Sequence, residues 1–146
     1  MTAAGLHDIS TSTWCDFVIF TSVSGSTFAA LSEDIFEMLS LNEAVKVDDR
    51  ILYLDKILGL KEKQCASKVC FAVKSTHGNT LLAVGDLIDV ESIRLDSISP
   101  LPAVLVKKMK RKSIWAVALR KEELLLLIDL KKLISEIKEV SNSDDN

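Results

Sequence analysis

Glycine, proline, cysteine and aromatic residues are all scarce in this chain, and each scarcity excludes something. The five glycines among 146 residues never cluster, so neither a phosphate-cradling loop nor a dinucleotide fingerprint can be built. Two prolines are too few for a proline-rich linker. Cys15, Cys65 and Cys70 contain no C-x-x-C pair, and an odd count is a poor disulfide framework, so reduced thiols in a cytoplasm are expected. No apolar run approaches the ~18 residues of a membrane helix. The first residues, Met1-Thr2-Ala3-Ala4-Gly5, lack the basic start and apolar stretch of a secretion signal. The chain is therefore expected to be cytoplasmic, without membrane insertion. A basic surplus is missing too: the net charge is -3, which argues against a general nucleic-acid binder, because such proteins displace phosphate counterions with Lys and Arg.

What is present is the composition of a globular domain, with 48% hydrophobic and 27% charged residues. A chain of this length can bury roughly 70% of its unfolded surface. Phe17-Val18-Ile19-Phe20-Thr21 and Thr27-Phe28-Ala29-Ala30-Leu31 flank a Ser24-Gly25-Ser26 turn, which predicts a β-hairpin. Val69 to Val73 and Thr80 to Val84 flank His77-Gly78-Asn79 in the same way. Each hairpin is followed by an apolar stretch, residues 35 to 41 and 87 to 93, read as a third strand. In the second stretch Ile88, Val90 and Ser92 alternate with Leu87, Asp89, Glu91 and Ile93. Each half then closes on an apolar strand, an aspartate and a short helix: Ile51 to Asp55, and Leu124 to Asp129. Both aspartates are read as helix N-caps. Beyond the second, Leu130, Leu133, Ile134 and Ile137 share a helical face that should pack on the strands. Lys61-Glu62-Lys63-Gln64 reads as the connector between halves and Ser99-Pro100-Leu101-Pro102 as a stiff turn.

The order and spacing of these pieces resemble the CheW-like family of chemosensory coupling proteins. Val84, Leu87, Val90, Ile93, Ile98, Pro100 and Pro102 match the signature of its second half, Phe17 to Phe20 its opening strand, and Leu126 to Ile134 its closing strand and helix. The likeness spans roughly residues 16 to 138. It implies a mainly all-β fold: two pseudo-repeated, SH3-like, five-stranded β-barrels fused in one unit, with short helices and a C-terminal helix. The expected boundaries are a single domain over 14–140, with subdomain one at about 16–60 plus C-terminal elements and subdomain two at about 67–128. Residues 1–13 and 141–146 are expected to be flexible ends. The implied function is non-catalytic: an adaptor that binds the regulatory domain of a CheA-type histidine kinase and a chemoreceptor's cytoplasmic tip, without a cofactor. Ile35-Phe36-Glu37-Met38 matches the family's Val-x-Glu-Val stretch, so the resemblance carries Ile35, Glu37 and Met38 over as protein-interaction candidates; a half-buried strand edge is the plainer reading. Two departures stand out. The family's Val-Asp aspartate is Gly85 here, with Asp86 next to it, and its Gly-Val-x-Asn-Leu-Arg-Gly segment is absent between Leu41 and Ile51.

Catalytic chemistry finds little to work with. His7 and His77 are far from each other in sequence, Cys65 and Cys70 have no third ligand nearby, and no nucleophile signature occurs. The carboxylate neighbours Glu33-Asp34, Asp48-Asp49 and Glu122-Glu123 read as solvated turns. The most pointed feature is Lys107-Lys108-Met109-Lys110-Arg111-Lys112, five positive charges in a presumed loop. Lys107, Lys108, Lys110, Arg111 and Lys112 fit a solvated loop, a dock for an acidic partner, or a nucleic-acid or anionic-membrane patch. Trp115 beside them reads as core rather than a base-stacking platform. The alternative function is thus a small β-barrel protein that binds nucleic acid or an acidic partner through residues 107 to 112.

Overall fold

The computed structural model describes residues 13–47, 50–60, 68–75, 78–108 and 111–144. The chain runs β1 (Trp14–Thr21), β2 (Thr27–Leu31), β3 (Ile35–Ser40), α1 (Leu41–Val47), β4 (Leu52–Tyr53) and α2 (Leu54–Leu58) in its first half. The second half holds β5 (Val69–Ser75), β6 (Gly78–Val84), β7 (Leu87–Arg94), β8 (Ile98–Pro100), α3 (Ala103–Lys108), β9 (Ile114–Arg120), β10 (Glu123–Ile128) and α4 (Leu130–Asp144). Short 3-10 turns, Ser32–Asp34 and Leu95–Ser97, precede β3 and β8. Both expected hairpins form, and Gly25 and Gly78 sit at their turns with φ of 104° and 100°, a backbone region open to glycine. The connector 61–64, Cys65, His7, His77 and Asp48-Asp49 lie outside the described residues.

The strands pair across the halves of the chain. One sheet has the order β7-β1-β2-β10-β9-β8 and the other β3-β5-β6-β4. The third strand of each half therefore pairs with the first strand of the other half: β3 lies antiparallel to β5, and β7 antiparallel to β1. The closing strand of each half repeats the exchange, with β4 parallel to β6 and β10 parallel to β2. The mainly all-β fold with a pseudo-repeat is as expected; the ten strands divide six and four, because β8 adds a short edge beside β9.

Continuous apolar runs in β1, β5 and β6 follow from this arrangement, because each strand divides two cores. Phe17 and Ile19 point into a core with Ala29, Ala116, Ala118, Leu125 and Leu127 inside the six-stranded sheet. Val18 and Phe20, one residue out of phase, face a larger core between the sheets, shared with Phe71, Leu82 and Val84. Cys70, Ala72, Leu81 and Ala83 fill a third core with Ala44 of α1. In the central core the Phe20 ring stacks on Phe28 at 5.8 Å and meets Phe71 edge-on at 5.1 Å, so one side chain joins both sheets. Leu130, Leu133 and Ile134 of α4 close this core, as their spacing predicts.

Several local readings need correction. Asp129 caps α4: its Oδ1 accepts the Lys132 amide at 3.0 Å. Asp55 caps nothing, since the N-cap position of α2 belongs to Tyr53. Its carboxylate instead accepts the amides of Val23 (2.7 Å) and Ser24 (2.9 Å) in the β1–β2 turn. Ser99 and Pro100 form edge strand β8, where proline's missing N–H costs nothing, and the Pro102 carbonyl accepts the amides of Leu105 and Val106 to begin α3. The basic stretch read as a loop is thus partly helix, with Lys107 and Lys108 ending α3. Helix α4 runs on to Asp144, through much of the polar stretch read as a tail.

Candidate protein-interaction surface

Strand β3 forms one edge of the four-stranded sheet, so its outer N–H and C=O groups have no strand partner among the described residues. Its register with β5 is Ile35↔Val73, Glu37↔Ala72, Met38↔Phe71, Leu39↔Cys70, with a bulge at Phe36. A bulge inserts one unpaired residue and re-aims its side chain. The three candidates carried over from the sequence accordingly part company. Ile35 packs against the central core. Glu37 is exposed, and Met38 is 38% exposed although it shares a face with buried Phe71. Phe36, which sequence reasoning passed over, is 43% exposed, with the Lys74 ammonium 5.9 Å from its ring centre. The register shift falls at this residue, and bulges carry no clear signal in a single sequence.

The pseudo-equivalent strand β7 is likewise an edge, and it is also apolar outside: Leu87, Ile88 and Val90 are exposed. Its alternation holds from Asp89 to Ile93 and stops at a register shift that sets Leu87 opposite Phe20. On the inner face, Glu91 receives two guanidinium N–H groups from Arg120 of β9, whose Nη2 also lies 3.9 Å from Asp89. These carboxylates hold the Arg120 pKa above its ordinary value. The ion pair joins two strands separated by β1, β2 and β10 in the sheet order, so it ties the two sides of the curved sheet together through side chains.

The basic run does not act as one patch. Arg111 pairs with Glu136 of α4 at 3.7 Å, and Lys107 and Lys112 are exposed. Lys110, Met109 and the Lys108 side chain lie outside what the structure describes. Trp115 is 44% exposed rather than core, because β9 sits near the margin of its sheet and only its inward residues reach a core. Of the turn carboxylates, Glu33, Glu122 and Glu123 are exposed as expected, whereas Asp34 is buried and lies 3.7 Å from Lys131 Nζ. Among the described residues no three His, Cys, Asp or Glu side chains gather as a metal site. Burial pushes the Cys70 thiol up to about 11, which keeps it protonated and unreactive at neutral pH. No helix among the described residues is long and apolar enough to cross a membrane.

The two departures from the pattern that the sequence resembles have structural counterparts. Helix α1 occupies the place of the missing segment. Gly85 lies at the β6–β7 corner, where its amide donates to the Thr21 carbonyl at 2.7 Å and a Cβ would come within 2.5 Å of the Ser22 carbonyl oxygen. An aspartate would clash with that backbone.

No protein-family model matches the chain, and no curated protein matches it in sequence. Its structure is similar to that of the scaffolding protein TtCheW from Thermoanaerobacter tengcongensis, with a TM-score of 0.64 at 17% identity over 82% of this chain and 91% of that one. The fold is CheW-like: strands in two sheets that form two barrel-like units, with a few short helices.

Proposed function

We propose that this chain is a non-catalytic adaptor of a chemotaxis-like signalling assembly, docking the regulatory domain of a CheA-type kinase on the β3 edge and contacting a receptor's cytoplasmic tip. The observation that carries this reading is the β3 edge itself, with Phe36 and Met38 exposed on a strand lacking an outer neighbour, in a fold shared with a bacterial scaffolding protein. An unpaired edge offers main-chain hydrogen bonds to an incoming strand, and the two apolar side chains supply its anchors. Glu37 and the bulge at Phe36 discourage indiscriminate pairing with other edges. The cores are filled with apolar side chains, a construction suited to holding surfaces rigid.

The test is titration of the purified protein with kinase regulatory domains and receptor tips encoded in the same genome. Saturable binding at micromolar concentrations is expected, weakened at least tenfold by Met38→Glu. Absence of binding to all of them at such concentrations would end the coupling reading. Nucleic-acid binding through residues 107–112 has less support, since Arg111 is already engaged by Glu136. A steep fall of oligonucleotide affinity with salt would be needed to revive it.

A further inference from the structure

A separate cavity of about 160 Å³ opens where the ends of β2 and β10 meet the start of β9 and the first turn of α4. Leu31 and Ile128 give it an aliphatic wall and Trp115 an indole, while Lys112, Lys132 and Asp129 supply charge. The charges do not cancel. One Asp129 oxygen is engaged in capping the helix through the Lys132 amide. Lys112 and Lys132, by contrast, have no carboxylate partner among the described residues, whereas Lys131 and Arg111 nearby each have one. Lys132 also stands in the first turn of its helix, where the macrodipole favours an acidic residue, so local stability does not account for it.

Size selects among ligands. Pockets for cofactors and drug-sized molecules run to roughly 300–1,000 Å³, while roughly 150 Å³ accommodates a benzene-sized group. The cavity thus has room for one side chain. We propose that it is an anchor site for an acidic peptide segment of a partner protein: one apolar side chain enters against Trp115, Leu31 and Ile128, and flanking carboxylates reach Lys112 and Lys132. Ion pairing at the rim gives selectivity for acidic segments, and the indole face supplies contact area in a single rigid group. This inference does not depend on the β3 edge or on a kinase.

The test uses the full chain carrying Trp14→Phe, which leaves Trp115 as the single indole, since the sequence has two tryptophans. Indole fluorescence is followed during titration with the capped peptide Glu-Glu-Phe-Glu-Glu, its Lys-Lys-Phe-Lys-Lys counterpart, and a thymidine octanucleotide. Saturable binding of the acidic peptide alone is expected, weakening as salt rises. The Lys112→Glu/Lys132→Glu variant should lose at least tenfold in affinity for it and gain affinity for the basic peptide. Glutamate at position 132 completes a capping box with Asp129, so the helix survives the change, and circular dichroism checks that it does. The proposal is overturned if the acidic peptide causes no saturable change up to about 5 mM, if the variant binds it unchanged, or if the oligonucleotide binds more tightly.

Discussion

A methyl group at position 85 would meet three backbone atoms of the β1–β2 turn within 2.7 Å. Backbone cannot step aside as a flexible side chain can, so Gly85→Ala is expected to lower stability by roughly 1–3 kcal/mol, read as a lower urea midpoint. An unchanged midpoint would show that the corner yields. Asp34 is set by solvation instead. Burial lifts its carboxyl above the ordinary 3.8, the Lys131 ammonium opposes that rise, and the Asp129 and Glu33 carboxylates add to it. A carboxyl whose folded pKa exceeds its unfolded one contributes stability that is full below the unfolded value and is lost as pH rises through the folded value. Relative to Asp34→Asn, the parent protein should therefore lose thermal stability as pH climbs above about 3.8 and through the raised folded value. Parallel melting curves for the two proteins from about pH 3.5 to about pH 7 would contradict this.

At the scale of the element, β3 divides into a buried end and an exposed middle. Truncating Ile35 removes core contacts and should cost about 1–3 kcal/mol of stability with little direct effect on an edge-bound partner. Phe36→Ala and Met38→Ala should do the reverse, leaving the melting temperature within a few degrees and lowering partner affinity at least tenfold. Calorimetry of unfolding and of binding separates the two patterns, and loss of affinity only with Ile35→Ala would exclude a docking edge. The existence of β3, like that of both hairpins, was legible because apolar runs between turn residues constrain local geometry. Asp55 and Asp129 show where that legibility stops. Both follow an apolar strand and accompany a helix, yet one caps its helix and the other clasps a turn thirty-odd positions away in the chain. Nothing adjacent to Asp55 encodes the arrival of Val23 and Ser24. Met38 was already a candidate on the sequence whereas Phe36 was not, because the bulge at Phe36 leaves no mark in composition.

For the whole molecule, the parallel pairings β2–β10 and β4–β6 were the least readable feature, since such contacts join distant segments without a turn between them. They make the halves interdependent. Residues 1–60 and 68–146, prepared as separate fragments, should each lack cooperative unfolding, because each keeps a hairpin but loses the strands that flank it. Mixing them should restore the intact chain's circular dichroism. A fragment that melts cooperatively alone would show that one sheet can stand without its exchanged strands. The guanidinium bridge from Arg120 to Glu91 belongs to the same scale, since it fastens β9 to a strand at the opposite side of its sheet.

The reciprocal exchange of the third and closing strands also sets what either half would need from a partner. The first half, made alone, would carry a hairpin with two bare sides and two strands with nothing beside them. Two copies of such a half, set about a two-fold axis so that each completes the other, would reproduce the four exchanged pairings, while β8 and β9, which the first half lacks, stand as the second half's own addition.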